Sequence, residues 1–307
     1  MSTFWSFVKG LLRKQYRGAW RPRSKYRRTT PFTRLRFEEL EVRVVPASYS
    51  WTGGANTLNW GDAANWSGNV VPGSGDDVTI SKSGIGTITI AGTQSVRTLN
   101  DTTAALSIAS GGSLSLAAVA ANSTFGQNVT VASGATLAVG ASASVLLQAG
   151  VTLTDNGTLS FASSDVVTFG ATNDFATEQV VVGSGGLLNA SGTTFTASTT
   201  NNSGLITVNS GGQLAPSGCT FQLPLFLPAV NVANLGGASS NVSFQDINIV
   251  AGTLSSGEVD LNAIGTSTTN LRYVFSGAFT IASGATLNVA ASLPVLLDPG
   301  VTVTDNG

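Results

Sequence analysis

After residue 47 the chain carries three basic side chains, Lys82, Arg97 and Arg272, against thirteen carboxylates, and any catalysis would have to be assembled from these. Histidine is absent and Cys219 is the single cysteine. No intramolecular disulfide, Cys/His zinc site, or Cys-His or Ser-His-Asp nucleophilic set can therefore be built, and Cys219 is expected to pack as a small apolar residue. What remains is carboxylate chemistry: an acid/base pair, or Asp-bound calcium with an Arg or Lys base, the sets that polysaccharide-cleaving β-helices commonly use. The carboxylates in question are Asp101, Asp155, Asp165, Asp174, Asp246, Glu258 and Asp260. They are scattered, and most stand beside Gly, Asn or Thr, where turns are expected. A catalytic set would need two or three of them on neighbouring strands facing one groove with Arg97 or Arg272 beside them. The sequence gives no sign of that, so no catalytic, cofactor-binding or metal-ligating residue is assigned.

Two other groups could bind rather than react. Trp51, Trp60 and Trp66 concentrate three of the five tryptophans within sixteen positions, and aromatic rings stack on the apolar faces of sugars. The competing role is structural: a buried Trp covers a large area while its indole N–H reaches a backbone carbonyl, which suits closing the open end of a stacked core. The capping role is the one expected here, with Asp62 capping the short Ala63-Ala64-Asn65-Trp66 turn. Asp76 and Asp77, next to Gly73 and Gly75, share residue types with glycine-aspartate calcium repeats. They occur once and out of register, so they are read as a turn leading into a strand at Val78–Ile80.

The elements that position these groups fall into two physically different parts. Residues 1–47 hold twelve of the fifteen Lys and Arg and three of the sixteen Asp and Glu, a local balance of +9 against −10 for the remainder. The remainder is poor in charge and rich in Gly, Ser, Thr and Asn, unlike a soluble helical protein. No run of eighteen apolar residues occurs, so no helical membrane span is expected.

Within the leader, Phe4, Trp5, Val8, Leu11 and Leu12 recur at helical spacing, with Lys9, Arg13, Lys14 and Arg17 on other faces. This reads as a short basic amphipathic helix, in an otherwise disordered leader, that meets an anionic membrane surface or the export machinery. It lacks the apolar core and A-x-A site of an ordinary signal peptide. The cations of Arg21–Arg28, interleaved with Trp20 and Tyr26, also suit a nucleic-acid-binding arm. No groove-reading element follows them, so nucleic acid is not an expected partner.

Leu40, Glu41, Arg43, Pro46 and Ala47 form the pattern L-E-x-R-x-x-P-A, which resembles the targeting motif near the start of large exported proteins of planctomycete bacteria. Residues 51–80, with W-x-G-G, N-W, A-N-W and P-G-x-G-D-D-V-x-I in order, resemble the opening segment before β-strand repeats in autotransporter-like and filamentous-adhesin-like surface proteins. The resemblance implies an extracellular or cell-surface location and cell-envelope or extracellular glycans or proteins as partners.

From residue 86 an aliphatic residue occupies every second position in Thr87–Ile90, Leu106–Ile108, Leu114–Leu116, Val129–Val131 and Thr136–Val139. A recurring corner joins such segments: Ile108-Ala109-Ser110-Gly111-Gly112-Ser113-Leu114, Val131 to Leu137, Val182 to Leu188, Val208 to Leu214 and Ile281 to Leu287. Its shared glycine suits a tight turn with positive φ. Leu153 to Leu159 keeps the length with Asn156-Gly157 as the turn pair. The corners begin at 108, 131, 153, 182 and 208, steps of roughly one coil of a β-solenoid. Thr130–Gly157 recurs as Thr280–Gly307, an offset of 150 residues that indicates a duplicated block. The sequence stops inside a repeat, which reads as a truncated fragment.

The expectation is thus an all-β chain: a leader at 1–47, a Trp/Gly-rich opening and capping module at 48–85, and a right-handed parallel β-helix at 86–307. The immunoglobulin-like sandwich is the rival, but it has no single recurring corner. The expected role is a secreted or cell-surface structural or adhesive stalk; the alternative is a polysaccharide lyase or hydrolase on a pectate-lyase-like β-helix.

Overall fold

The computed structural model describes residues 46–117, 122–170, 179–198, 204–237 and 240–307. The expected leader helix, the expected targeting-motif residues Leu40, Glu41 and Arg43, and Asp174 lie outside the described residues; Pro46 and Ala47 are exposed. The chain forms a parallel β-solenoid of about nine turns. Among the described residues every strand ladder is parallel, which rules out the antiparallel sandwich.

Three walls carry the coils. Face 1 stacks eight strands from Ser48–Ser50 to Thr220–Phe221, face 2 ten from Ile88–Ile90 to Val295–Leu297, and face 3 six from Thr93–Val96 to Gln213–Ser217. The period-2 pattern becomes inward ladders because equivalent residues of successive coils stack in register. On face 2, Ile88, Leu106, Val129, Leu153, Val180 and Ile206 form one unbroken column. Face 3 stacks Leu114, Leu137, Leu159, Leu188 and Leu214. On face 1 the rings of Phe195, Phe221 and Phe244 stack with centroids 5.1 Å apart at each step. Each such side chain contributes roughly 1.5–3 kcal/mol by leaving water.

Burial here comes from stacking rather than from local sequence, and the duplicated block demonstrates it. Val139 and Leu147, with coils on both sides, are 3% and 0% exposed; their counterparts Val289 and Leu297, in the last coil, are 49% and 51% exposed. The second copy repeats the backbone of the first at its corners, with φ of 73° at Gly134 and 80° at Gly284, and 63° at Ser142 and 61° at Ser292. Yet it stands one wall further round. Ser144–Leu147 lies on face 1, whereas its counterpart Val295–Leu297 lies on face 2. The slip follows the 3-10 segment Ala229–Leu235, which takes the place of a face 3 strand after Gln213–Ser217.

The corner glycines act in two ways. Gly134 supplies a left-handed φ that β-carbon-bearing residues adopt only at a cost. At the Asn156-Gly157 corner φ is not the issue: a Cβ on Gly157 would lie 2.4 Å from the carbonyl oxygens of both Ala132 and Ala135 on the adjacent coil. Gly157→Ala is therefore expected to destabilise the middle coils by about 2–3 kcal/mol, read as a lower thermal midpoint. A midpoint equal to that of the unsubstituted chain would contradict this packing.

Candidate functional site

The three tryptophans converge. Trp51 and Trp66 meet edge to face at 5.0 Å, Trp60 and Trp66 at 4.7 Å, and all three are buried. The module is tied to the first coil by its backbone: Trp51 N donates to Thr79 O at 3.0 Å, Trp60 N to Thr89 O at 2.9 Å, and Thr89 N to Leu58 O at 2.7 Å. Buried rings present no face to a sugar, and this is the geometry a cap requires. Two details differ from the sequence expectation. Only Trp66 uses its indole N–H on a carbonyl, that of Trp60 at 2.8 Å; the indole nitrogens of Trp51 and Trp60 are buried without a partner. Asp62 precedes the 3-10 turn Ala63–Asn65 but makes no side-chain cap. It accepts instead from Thr57 and Asn59, and Asn65 holds the module together by accepting from Ala55 N.

The carboxylates are distributed along the solenoid, most of them engaged by neighbouring backbone or by an inter-coil cation. Asp76 accepts from Gly73 N at 2.8 Å, closing the turn into the strand Asp77–Ile80. Asp77 accepts from Arg97 and Thr98 on the next coil. Burial would raise its pKa, but the hydrogen bonds from Arg97 and Thr98 and the Arg97 charge prevail and hold it below the ordinary value. Asp246 and Arg272 are register partners on face 2 and form a two-pronged ion pair, 2.7 Å at each oxygen. At the surface such a pair is worth at most about 1 kcal/mol.

Asp101, Asp155 and Asp165 are the surprise, since all three are buried. Asp155 sits in the inward column of face 2 between Val131 and Val182, and Asp101 in that of face 1 between Ile80 and Phe125. One oxygen of each caps the corner that follows: Asp155 accepts from Gly157 N, and Asp101 from Thr103 N and Ala104 N. The other oxygen of each is buried without a hydrogen bond. Burial pushes both carboxyls up to about 6. Asp165 uses both oxygens, accepting from Ala143 N and Ala162 N, and burial raises its carboxyl too. Cys219 is likewise buried, near Ala190 O, with its thiol raised by burial.

Among the described residues the nearest approach to an acid/base pair is Glu258 and Asp260, which project outward from the strand Gly257–Leu261, with Asn288 of the neighbouring strand donating to both. Neither Arg97 nor Arg272 pairs with them; those two serve Asp77 and Asp246. Sequence reading grouped Glu258 and Asp260 with the scattered corners, although their i, i+2 spacing on a strand was the signal that they share a face. Among the described residues no group of three His, Cys, Asp or Glu side chains could hold a metal. Among them too, no helix is long and apolar enough to cross a membrane.

These features define the class, a Trp-capped parallel β-solenoid in which Asp76, Asp101, Asp155 and Asp165 serve corners, Asp77 and Asp246 form inter-coil ion pairs, and Glu258 and Asp260 stand exposed on one strand face. Comparison with protein-family models, curated proteins and solved structures gives no match.

Proposed function

We propose that the protein is a structural or adhesive stalk outside the cytoplasm, secreted or displayed at the cell surface, and that it catalyses no reaction. The observation that supports this best is the use made of its charge. The cations Arg97 and Arg272 each neutralise one carboxylate on an adjacent coil, and Asp101, Asp155 and Asp165 serve the backbone inside the stack. A stalk needs length, stiffness and a polar exterior, and the outward columns supply the last. On face 3, Thr93, Ser113, Thr136 and Thr158 stand in register, a row of hydroxyls about 4.8 Å apart that suits hydrogen bonding to glycan hydroxyls or to partner proteins. The extracellular location rests on the pattern Leu40, Glu41, Arg43, Pro46, Ala47 and on the basic leader, whose charge suits a membrane surface or export machinery.

The test is to incubate the full chain with a panel of soluble and insoluble polysaccharides, following co-sedimentation and the release of reducing ends or unsaturated products. Retention on glycan without products is expected. Turnover that disappears in Glu258→Gln or Asp260→Asn would overturn the non-catalytic reading in favour of a polysaccharide hydrolase or lyase.

A further inference from the structure

Face 3 is interrupted where the 3-10 segment Ala229–Leu235 replaces a strand, held in place by Asn231, which donates to Gly212 O at 2.8 Å. In the following coil the strand Gly257–Leu261 is paired on one side only, with Ala285–Val289. Its free edge can be assigned residue by residue. Leu261 O accepts from Ala290 N at 2.9 Å, which places the N–H and C=O of Leu261, Val259 and Gly257 toward the partner strand. Alternate residues of a strand turn these groups to opposite sides, so the backbone of Glu258 and Asp260 faces away, into an open groove. The groove has a volume of about 740 Å³ and is lined by that edge together with Val230, Val232, Ala233 and Ile264. Val230 on its lip is 61% exposed, among the largest exposures of an apolar side chain in the described residues. The Glu258 and Asp260 carboxylates stand beside the edge with Asn288 as their hydrogen-bond donor, and among the described residues no cation pairs with them.

An unpaired strand edge, an apolar floor and two uncompensated negative charges specify one kind of occupant. We propose that this groove takes an extended basic peptide of a partner protein, added as a strand to the free edge of Gly257–Leu261. The peptide's backbone satisfies the N–H and C=O groups of Glu258 and Asp260. Its alternate side chains divide as in any strand: small apolar ones turn in toward Val232 and Ile264, and Lys or Arg turn out beside Glu258 and Asp260, within cross-strand reach of about 5 Å. Charge sets the choice of a basic over an acidic segment, while the backbone ladder sets the requirement that it be extended. This goes beyond the stalk reading and does not depend on where the protein resides.

The test is fluorescence anisotropy of labelled Val-Lys-Val-Lys-Val, acetylated and amidated, titrated with the full 307-residue chain at low salt. The controls are the peptide with Glu in place of Lys, the peptide N-methylated at alternate amides, and the chain carrying Glu258→Gln with Asp260→Asn. Saturable binding of the basic peptide is expected, weakened about tenfold by the double substitution and lost on N-methylation. If the substituted chain fails to fold, the charge contribution is read on the unsubstituted chain from the loss of affinity with added salt. Equal binding of the basic and acidic peptides, retention of binding after N-methylation, or no saturable binding at all would each overturn the proposal.

Discussion

Acidification from pH 7.5 to about 4.5 is expected to stabilise this solenoid, the reverse of ordinary acid denaturation. Asp101 and Asp155 occupy positions in apolar columns and are pushed up to about 6 by burial, from 3.8. A raised native pKa means that between about pH 4 and 6 the folded chain holds protons the unfolded chain has released. The stability from those two sites is therefore complete below about pH 4 and is lost as the pH rises through 6. At about 1.4 kcal/mol per pKa unit, each contributes about 3 kcal/mol, and the raised carboxyl of Asp165 acts in the same direction. Asp77 opposes them, since its lowered pKa makes its contribution fade as the pH falls below about 4, so stability should peak near pH 4. Thermal melts should show a midpoint about 10 °C or more higher at pH 4.5 than at pH 7.5. Asp155→Asn, which keeps an acceptor for Gly157 N, should remove a large part of that difference. A midpoint that falls on acidification across this range would show that the two carboxylates are ionised in the folded chain at little cost.

Trp60→Ala is expected to unravel the solenoid from its first coil. The ring is fully buried against Trp66, whose indole N–H bonds to the Trp60 carbonyl, and removing a buried Trp costs about 3–5 kcal/mol. In a stack where each coil contacts only its neighbours, that loss is felt locally. Hydrogen exchange should show amides of Asp77–Ile80 and Ile88–Ile90 losing protection while those of Leu205–Val208 keep it, with Trp60→Phe restoring most of the difference. Uniform loss of protection along the chain, or none, would contradict a capping role for the cluster.

The walls of this fold were legible because a solenoid writes its geometry into short-range sequence. Alternation marked strands such as Val129–Val131, and the recurring corner glycine marked turns such as that at Gly134, whose left-handed φ the structure confirms. Other features were written in the same code but masked by residue type. Asp155 stands two places after Leu153, and Asp101 two after Leu99, so strand parity alone puts both carboxylates inside; their reading as turn residues rests on the Asn and Gly beside Asp155 and the Thr residues beside Asp101. The rotation of the duplicated block by one wall left no local trace. Thr130–Gly157 and Thr280–Gly307 share 20 of 28 residues and the same corner conformations at Gly134/Gly284 and Ser142/Ser292, and the Ala229–Leu235 segment lies between them. The free edge at Gly257–Leu261 lies in the coil after that segment and outside the recurring corner pattern, so the groove could not be read from repeat periodicity.

The claim that the solenoid works as a stalk outside the cytoplasm is tested most directly by localisation of the full-length product in the organism that encodes it. Cells producing the protein with and without residues 1–47 would be fractionated, and intact cells treated with protease. The account predicts protease-accessible surface or secreted protein that disappears when residues 1–47 are removed. Protease-protected cytoplasmic protein in both cases would contradict it and return the basic leader to a role in binding nucleic acid.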